Sequence, residues 1–269
     1  MKKIYKEYKK NGITKVNSLI SEKNIQDIIK FIKDLFINFL KKKKIKKNYS
    51  KLKIEELILL IKKKFPSEYK KMIGTTMQRC PSVMKIGYSN KIIKILKSLG
   101  LKKPIFSTDP LIMFHSHYID EKNYAPFHQD WRSIQGSLNN IVIWIPLVEI
   151  VKNMNSIEYI EQSHLKGLLN SRKNKWFRSI SEINFSNKKK TDLISKGDAF
   201  LFSSFLVHKS GINTSKKVRI SLQFRFNDLK DDYFIENGYP YPYEYAKPKQ
   251  KLIVKNKPKK ADVKKKFKL

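Results

Sequence analysis

Cysteine is nearly absent: Cys80 is the only one in 269 residues, which rules out an intramolecular disulfide and fits a reducing compartment. No activating partner can be named for it, so it is no candidate nucleophile. Arginine is scarce as well, 6 against 52 lysines, and the 23 acidic residues leave a formal charge of +35. Such an excess normally points to nucleic acid or an anionic surface. A phosphate reader, however, favours the planar arginine fork, and the abundance of Ile and Asn beside Lys resembles a genome-wide codon bias. The charge is therefore read as a solvated lysine surface, with no specific nucleic-acid partner expected. Long apolar runs are missing too. A spanning helix needs about eighteen apolar residues; the longest candidate, Ile141 to Val151, is interrupted by Pro146 and Glu149. The opening MKKIYKEYKKNG has the charge of a signal sequence but no apolar stretch after it, so a cytoplasmic protein without a membrane span is expected.

What is present divides the chain. Ile25, Ile28, Ile29, Ile32, Leu35, Phe36 and Phe39 recur at the helical interval, with Ser21 as N-cap and a stop at the lysines from Lys41. Leu57, Leu60 and Ile61 mark a second helix ending near Pro66, and Ile92, Ile93, Ile95, Leu96 and Leu99 a third that closes at Gly100. From about Phe106 short strands take over: Leu111 to Tyr118, Ile141 to Val148, Ser156 to Ile160, Thr191 to Ile194, Asp198 to Phe202 and Val218 to Phe226. Strands this dense, without long helices between them, favour a sandwich or jelly roll. The expected organisation is a helical region over 1–103 packing on a β core of 104–232, then a Tyr- and Pro-rich piece and a Lys-rich tail over 233–269. Its last 24 residues carry 11 Lys and one Asp, composition expected of disorder.

The chemistry lies in His128-Gln129-Asp130 and in His208 with Arg219 eleven residues after it. A His-x-Asp triplet alone is a weak signal. On a strand, however, residues i and i+2 share a face, so His128 and Asp130 can grip one ion, and two His with one carboxylate leave positions open as ferrous oxygenases require. The segment GDAFLFSSFLVHKSGINTSKKVRISLQFRF reads as strand, turn, strand, and a turn centred between Asn213 and Thr214 would set His208 opposite Arg219. Along the last strand Arg219, Ser221, Gln223 and Arg225 share one face, suited to line a cavity, while Ile220, Leu222, Phe224 and Phe226 share the other. In so lysine-rich a chain an arginine that survives is one whose fork is needed; Arg132, Arg219 and Arg225 all fall in this half.

The strings HQDWRSIQGSLNNIVIWIPLVEI, IEYIEQSHLKGLL and GDAFLFSSFLVHKSGINTSKKVRISLQFRF, in that order over residues 111–228, resemble the phytanoyl-CoA dioxygenase family of Fe(II)/2-oxoglutarate oxygenases. The resemblance implies a mainly β fold with a helical N-terminal part, a double-stranded β-helix of the jelly-roll or cupin-like kind flanked by helices. It implies that His128, Asp130 and His208 ligate Fe(II), that Arg219 binds the distal carboxylate of 2-oxoglutarate, and that Ser210, Trp144 and Met113 belong to the co-substrate pocket. Ser221 is an alternative to Ser210 as the supporting hydroxyl. Where the family usually reads Pro-Gly-Ser-His, this chain has Glu161-Gln162-Ser163-His164, a change in a turn. The implied activity is hydroxylation of a C–H bond in a small-molecule metabolite, possible anions included, with O2 consumed, 2-oxoglutarate decarboxylated to succinate and ascorbate in support. Retention of Asp130 argues for hydroxylation, since halogenases of the family replace this carboxylate.

Trp131, Arg132, His115 and His117 are candidate substrate contacts, each weighed against an ordinary core or surface role. Two other readings stay open: a metal-dependent jelly-roll enzyme that is not an oxygenase, and a basic nucleic-acid or anionic-surface binder with a vestigial barrel.

Overall fold

The computed structural model describes residues 1–45, 49–116, 124–174, 177–180, 188–190, 194–242 and 257–267. Two elements precede the first expected helix: helix α1 (Lys2–Asn11) and strand β1 (Ile13–Val16). Gly12 joins them at φ 78°, its amide capping Tyr8 O, and a Cβ there would strike the His164 ring. Helix α2 (Glu22–Lys42) begins as its sequence demands, the Ser21 hydroxyl accepting from the Asn24 amide at 3.2 Å. Its Ile25, Ile28, Ile32, Phe36 and Leu40, three or four residues apart, form one buried stripe. Helices α3 (Ile54–Lys64), α4 (Pro66–Lys71), α5 (Pro81–Gly87) and α6 (Asn90–Ser98) follow, with proline in the first turn of α4 and α5, where its missing N–H costs nothing.

The strands are β2 (Pro104–Phe106), β3 (Leu111–His115), β4 (Ile141–Pro146), β5 (Ile157–Ile160), β6 (Arg172–Asn174), β7 (Phe177–Ser179), β8 (Lys188–Lys190), β9 (Ala199–Ser203), β10 (His208–Ser210) and β11 (Arg219–Asp228). The short helix α7 (Trp131–Ile134) follows the His-x-Asp triplet, and α8 (Asp232–Glu236) follows β11. The larger antiparallel sheet runs β1-β9-β4-β11, with β2 and β3 both on the far edge of β11. A smaller one runs β10-β5-β8, and β6 pairs β7.

Period-two alternation decides what each face of the larger sheet meets. Ile141, Ile143 and Ile145 of β4 join Ile220, Leu222, Phe224 and Phe226 of β11 in the core shared with α2 and α3. Fully burying each such side chain contributes about 1.5–3 kcal/mol, so this face anchors the sheet on the helices. Val142 and Trp144 turn the other way, into a second cluster with Phe200 and Phe202. Beside them lies the polar face of β11, which the sequence had assigned to a cavity.

The fold departs from expectation in four places. Among the described residues helix outweighs strand, so the protein is mixed helix and antiparallel sheet rather than mainly β; the helices of the first hundred residues are long, whereas strands need only a few residues to cross a sheet. The region read as helical supplies an edge strand, β1, paired with β9 from Ile13↔Phe202 to Val16↔Ala199. Strands β10 and β11 do not form a hairpin: β10 pairs β5, with His208 against Tyr159, and residues 211–218 cross to the other sheet. The crossing follows from Asn213, whose amide donates to His115 O and Lys217 O at 2.9 Å. Finally, the lysine-rich tail contains helix α9 (Lys260–Phe267), whose Val263 and Phe267 are buried, with Phe267 against Tyr8 and His164. Two apolar anchors, and Lys266 paired with the buried Asp231 at 3.1 Å, suffice to dock it despite its charge. Residues 191–193 of one expected strand, and residues 243–245 of the Tyr- and Pro-rich piece, lie outside the described residues.

Candidate metal and co-substrate site

His128 precedes α7 and His208 opens β10, and their backbones bond reciprocally, His128 N to His208 O at 2.9 Å and His208 N to His128 O at 3.1 Å. The two rings stand 4.3 Å apart. Each Nδ1 faces a backbone carbonyl, Pro126 O at 2.6 Å for His128 and Leu206 O at 2.9 Å for His208. A carbonyl only accepts, so each Nδ1 carries the proton and each Nε2 turns its lone pair inward. Asp130 Oδ1 lies 3.2 Å from His128 Nε2 and 3.9 Å from His208 Nε2.

The other oxygen of Asp130 is held from outside the triplet. Arg225 Nε donates to Oδ2 at 2.8 Å, and its Nη2 donates to Gln223 Oε1 at 3.1 Å. Burial alone would raise the Asp130 carboxyl; the Arg225 guanidinium beside it holds it well below the usual carboxylate range. Burial, and then the neighbouring His128, pull His208 down to about 4, which keeps it neutral. Three acceptor atoms thus lie within 4.8 Å of one another, all three residues buried. This is a donor set that a divalent cation would satisfy, and two imidazoles with one carboxylate is a combination suited to ferrous iron.

These residues border a cavity of about 190 Å3, walled also by Leu111, Met113, His115, Trp144, Ser210 and Gln223. Beside the cavity the larger sheet carries buried polar atoms that have no partner among the described residues. Arg219, opposite His115 in the β3–β11 ladder, is 1% exposed; its Nη1 donates to Asn155 O, to Ser156 O at 2.9 Å and to Gly211 O at 2.8 Å, while its Nε is unpaired. His115 Nδ1 and Ser221 Oγ are likewise buried and unpaired. Burial, and then the Arg219 charge, pull His115 down to about 3, while burial lowers Arg219 only to about 10. A neutral imidazole, a hydroxyl and a guanidinium edge, all lacking partners, fit a carboxylate-bearing co-substrate.

The structure therefore brings His128, Asp130, His208, Met113, Trp144, Ser210 and His115 to one cavity wall, with Arg219 and Ser221 buried on the same strand face as Gln223 and Arg225. Trp131 is elsewhere: it is 0% exposed, stacked on Phe205 at 5.3 Å, and donates Nε1–H to Gly136 O. Arg132 donates to Leu169 O at 2.9 Å and His164 sits under α9. His117 lies outside the described residues. Sequence reasoning put Arg225 on the cavity face but named no partner for it, and it gave no role to Gln129. The signal for Arg225 was its place on the face of Arg219; Gln129, whose side chain bonds Gly167 O, Phe205 O and the Leu169 amide, left none.

A family model described as phytanoyl-CoA dioxygenase (PhyH) matches residues 8–221. The chain belongs to the phytanoyl-CoA dioxygenase family. It is accordingly an Fe(II)- and 2-oxoglutarate-dependent oxygenase. Solved structures share the fold. The apo form of the non-heme monooxygenase ThoJ is 13% identical over 84% of this chain and 78% of its own, with a TM-score of 0.59. AviO1 from Streptomyces viridochromogenes Tue57 is 13% identical over 86% of this chain and 96% of its own, TM-score 0.56. The epimerase SnoN, in complex with Fe3+, alpha ketoglutarate and nogalamycin RO, is 12% identical over 84% and 83%, TM-score 0.55. No curated protein matches the chain. Among the described residues of this family member, no helix is long and apolar enough to cross a membrane.

Proposed function

We propose that the chain hydroxylates a C–H bond of a small-molecule metabolite, coupled to decarboxylation of 2-oxoglutarate to succinate, with His128, Asp130 and His208 as the metal ligands. What carries the reading is a cavity lined by a three-ligand cluster, its tautomers set by carbonyls, and by His115, with Arg219 Nε and Ser221 Oγ buried on the same strand face as its Gln223 and Arg225 and without partners among the described residues. Fe(II), when bound, supplies the activation of dioxygen and the redox chemistry. The protein's own residues do the rest. Arg225 keeps Asp130 ionised and commits Oδ2, so that Oδ1 is the atom turned to the metal. Pro126 O and Leu206 O hold the two imidazoles in the ligating tautomer. Arg219, fixed through Nη1, offers its Nε edge to the distal carboxylate of 2-oxoglutarate, with Ser221, Ser210 and His115 beside it. Trp144 and Met113 form the apolar wall that keeps water from the bound co-substrate. In this reading the two antiparallel sheets are the faces of a double-stranded β-helix, and Trp131, sunk in the core, has no substrate role.

The readings without oxygenase chemistry would leave Arg219 and its unpaired neighbours without a task. Metabolite pools supplied with Fe(II), ascorbate, air and 2-oxoglutarate should stimulate succinate release, and the product should gain one oxygen atom. A product of unchanged mass would favour epimerisation, the activity in SnoN's name. Absence of any metal-dependent succinate release, with or without a pool, would sink the proposal.

A further inference from the structure

Of the 6 arginines, two more hold a stretch of backbone that is tied to the His-x-Asp triplet and have no part in the site just described. Arg132, in the first turn after Asp130, donates Nη2–H to Leu169 O at 2.9 Å. Arg178, on β7, donates to Ser171 O at 2.8 Å and to Ser171 Oγ at 3.0 Å. Both guanidiniums therefore clasp the same short stretch of backbone, at carbonyls two residues apart, which lie within about 7 Å along the chain. Among the described residues neither has a carboxylate partner, and each is half-buried. Burial, and then the charge of Arg178, pull the Arg132 guanidinium down to about 10. Two like charges held this close repel until an anion joins them.

The clasped stretch is fastened to the triplet rather than left as loose surface. Gln129 accepts from the Leu169 amide at 2.9 Å and donates to Gly167 O at 2.8 Å, and the Ile180 amide beyond Arg178 donates to Phe127 O at 2.9 Å. Phe127 and Leu169, partly buried against Ile160, Ile180 and Val207, supply an apolar flank. In a chain that uses lysine almost everywhere, the fork-shaped cation recurs where an oxyanion could be gripped by two edges at once.

We propose that Arg132 and Arg178 form a substrate subsite for an oxyanion, a carboxylate or phosphate carried on an apolar skeleton, placed beside the metal centre by Gln129 and the Phe127–Ile180 bond. The subsite rests on the proposed metal centre for its meaning but not for its binding chemistry. The test is calorimetric titration of the nickel(II)-loaded chain saturated with 2-oxoglutarate, at fixed ionic strength, with inorganic phosphate and with octanoate as probes. Losing one charge-assisted donor should weaken binding about tenfold or more, so Arg132→Gln and Arg178→Gln should each do so and the pair abolish it. Arg178→Lys, which keeps charge but loses the fork, should restore part of the affinity. Lys173→Gln, which removes an exposed charge from the same hairpin, should change nothing. Tighter binding of octanoate than of phosphate would identify the anion as a carboxylate on a chain, and the reverse as a phosphate. Equal binding by wild type and the double variant, or a loss in Lys173→Gln as large as in Arg178→Gln, would overturn the subsite. Metal-dependent succinate release by the wild type, measured separately, reports on the oxygenase reading itself, so the two can fail independently.

Discussion

The three-ligand cluster and the buried Arg219 face beside it are built differently. At the three-ligand end each Nδ1 is bonded, the two backbones bond each other, and Asp130 Oδ2 is held by Arg225, so that both Nε2 atoms and Asp130 Oδ1 are turned toward one another. On the Arg219 side the nitrogen held by carbonyls is Nη1, and Arg219 Nε, His115 Nδ1 and Ser221 Oγ are buried with no partner among the described residues. A buried polar group without a partner costs about 1–3 kcal/mol, a cost tolerated where a ligand repeatedly arrives and leaves. In the proposed reading the contrast is between a seat organised for a resident ion and one held ready for a reactant consumed at every turnover.

The largest effect should come from breaking the metal end. Asp130→Ala leaves two imidazoles and the unneutralised Arg225, and Fe(II) affinity should fall by more than the roughly 10–100-fold typical of losing an outer partner; anaerobic metal titration measures it. Next is Arg219→Ala, which should weaken 2-oxoglutarate binding about 10–100-fold, the equivalent of a charge-assisted bond, while metal affinity holds; Arg219→Lys should recover only part. Equal damage to metal and co-substrate binding would erase the distinction between the ends. Arg225→Gln should lower metal affinity about 10–100-fold and spare the co-substrate constant of whatever fraction is loaded. An effect on stability rather than on binding lies outside both ends, at His164, which burial pulls from 6.5 down to about 4. The unfolded chain takes up its proton first, so the contribution of His164 to stability is full above pH 6.5 and declines toward pH 4, by at most about 1.4 kcal/mol per pH unit, in addition to those of His115 and His208. Denaturant melts of the metal-free chain across that window should show the decline, made less steep by one group in His164→Gln.

Local signals in the sequence proved reliable where the cause of structure is local. Ser21 and the Ile25–Leu40 stripe state a helix in their own spacing, and β11 states both its faces in ten residues. Pairing is a different matter. That β10 would leave β11 for β5 depends on Asn213 reaching His115 O, a contact 98 residues distant that no pattern carries. The same holds for Arg225 and Asp130, 95 residues apart, and for α9, whose two apolar anchors are hidden among lysines. The site residues were legible because ligand types at short spacing are a chemical statement; the partners that orient them were not, since any donor at the right place would serve.

The central claim is that two imidazoles and one carboxylate bind a ferrous ion and that 2-oxoglutarate then seats against Arg219. Anaerobic calorimetry of wild type, His208→Ala and Arg219→Ala, titrated with Fe(II) and then 2-oxoglutarate, tests it most directly. One Fe(II) per wild-type chain, lost in His208→Ala, kept in Arg219→Ala, and 2-oxoglutarate bound tightly only by metal-loaded wild type is the outcome expected. Undiminished Fe(II) binding by a folded His208→Ala chain, or 2-oxoglutarate binding indifferent to both metal and Arg219, would contradict it.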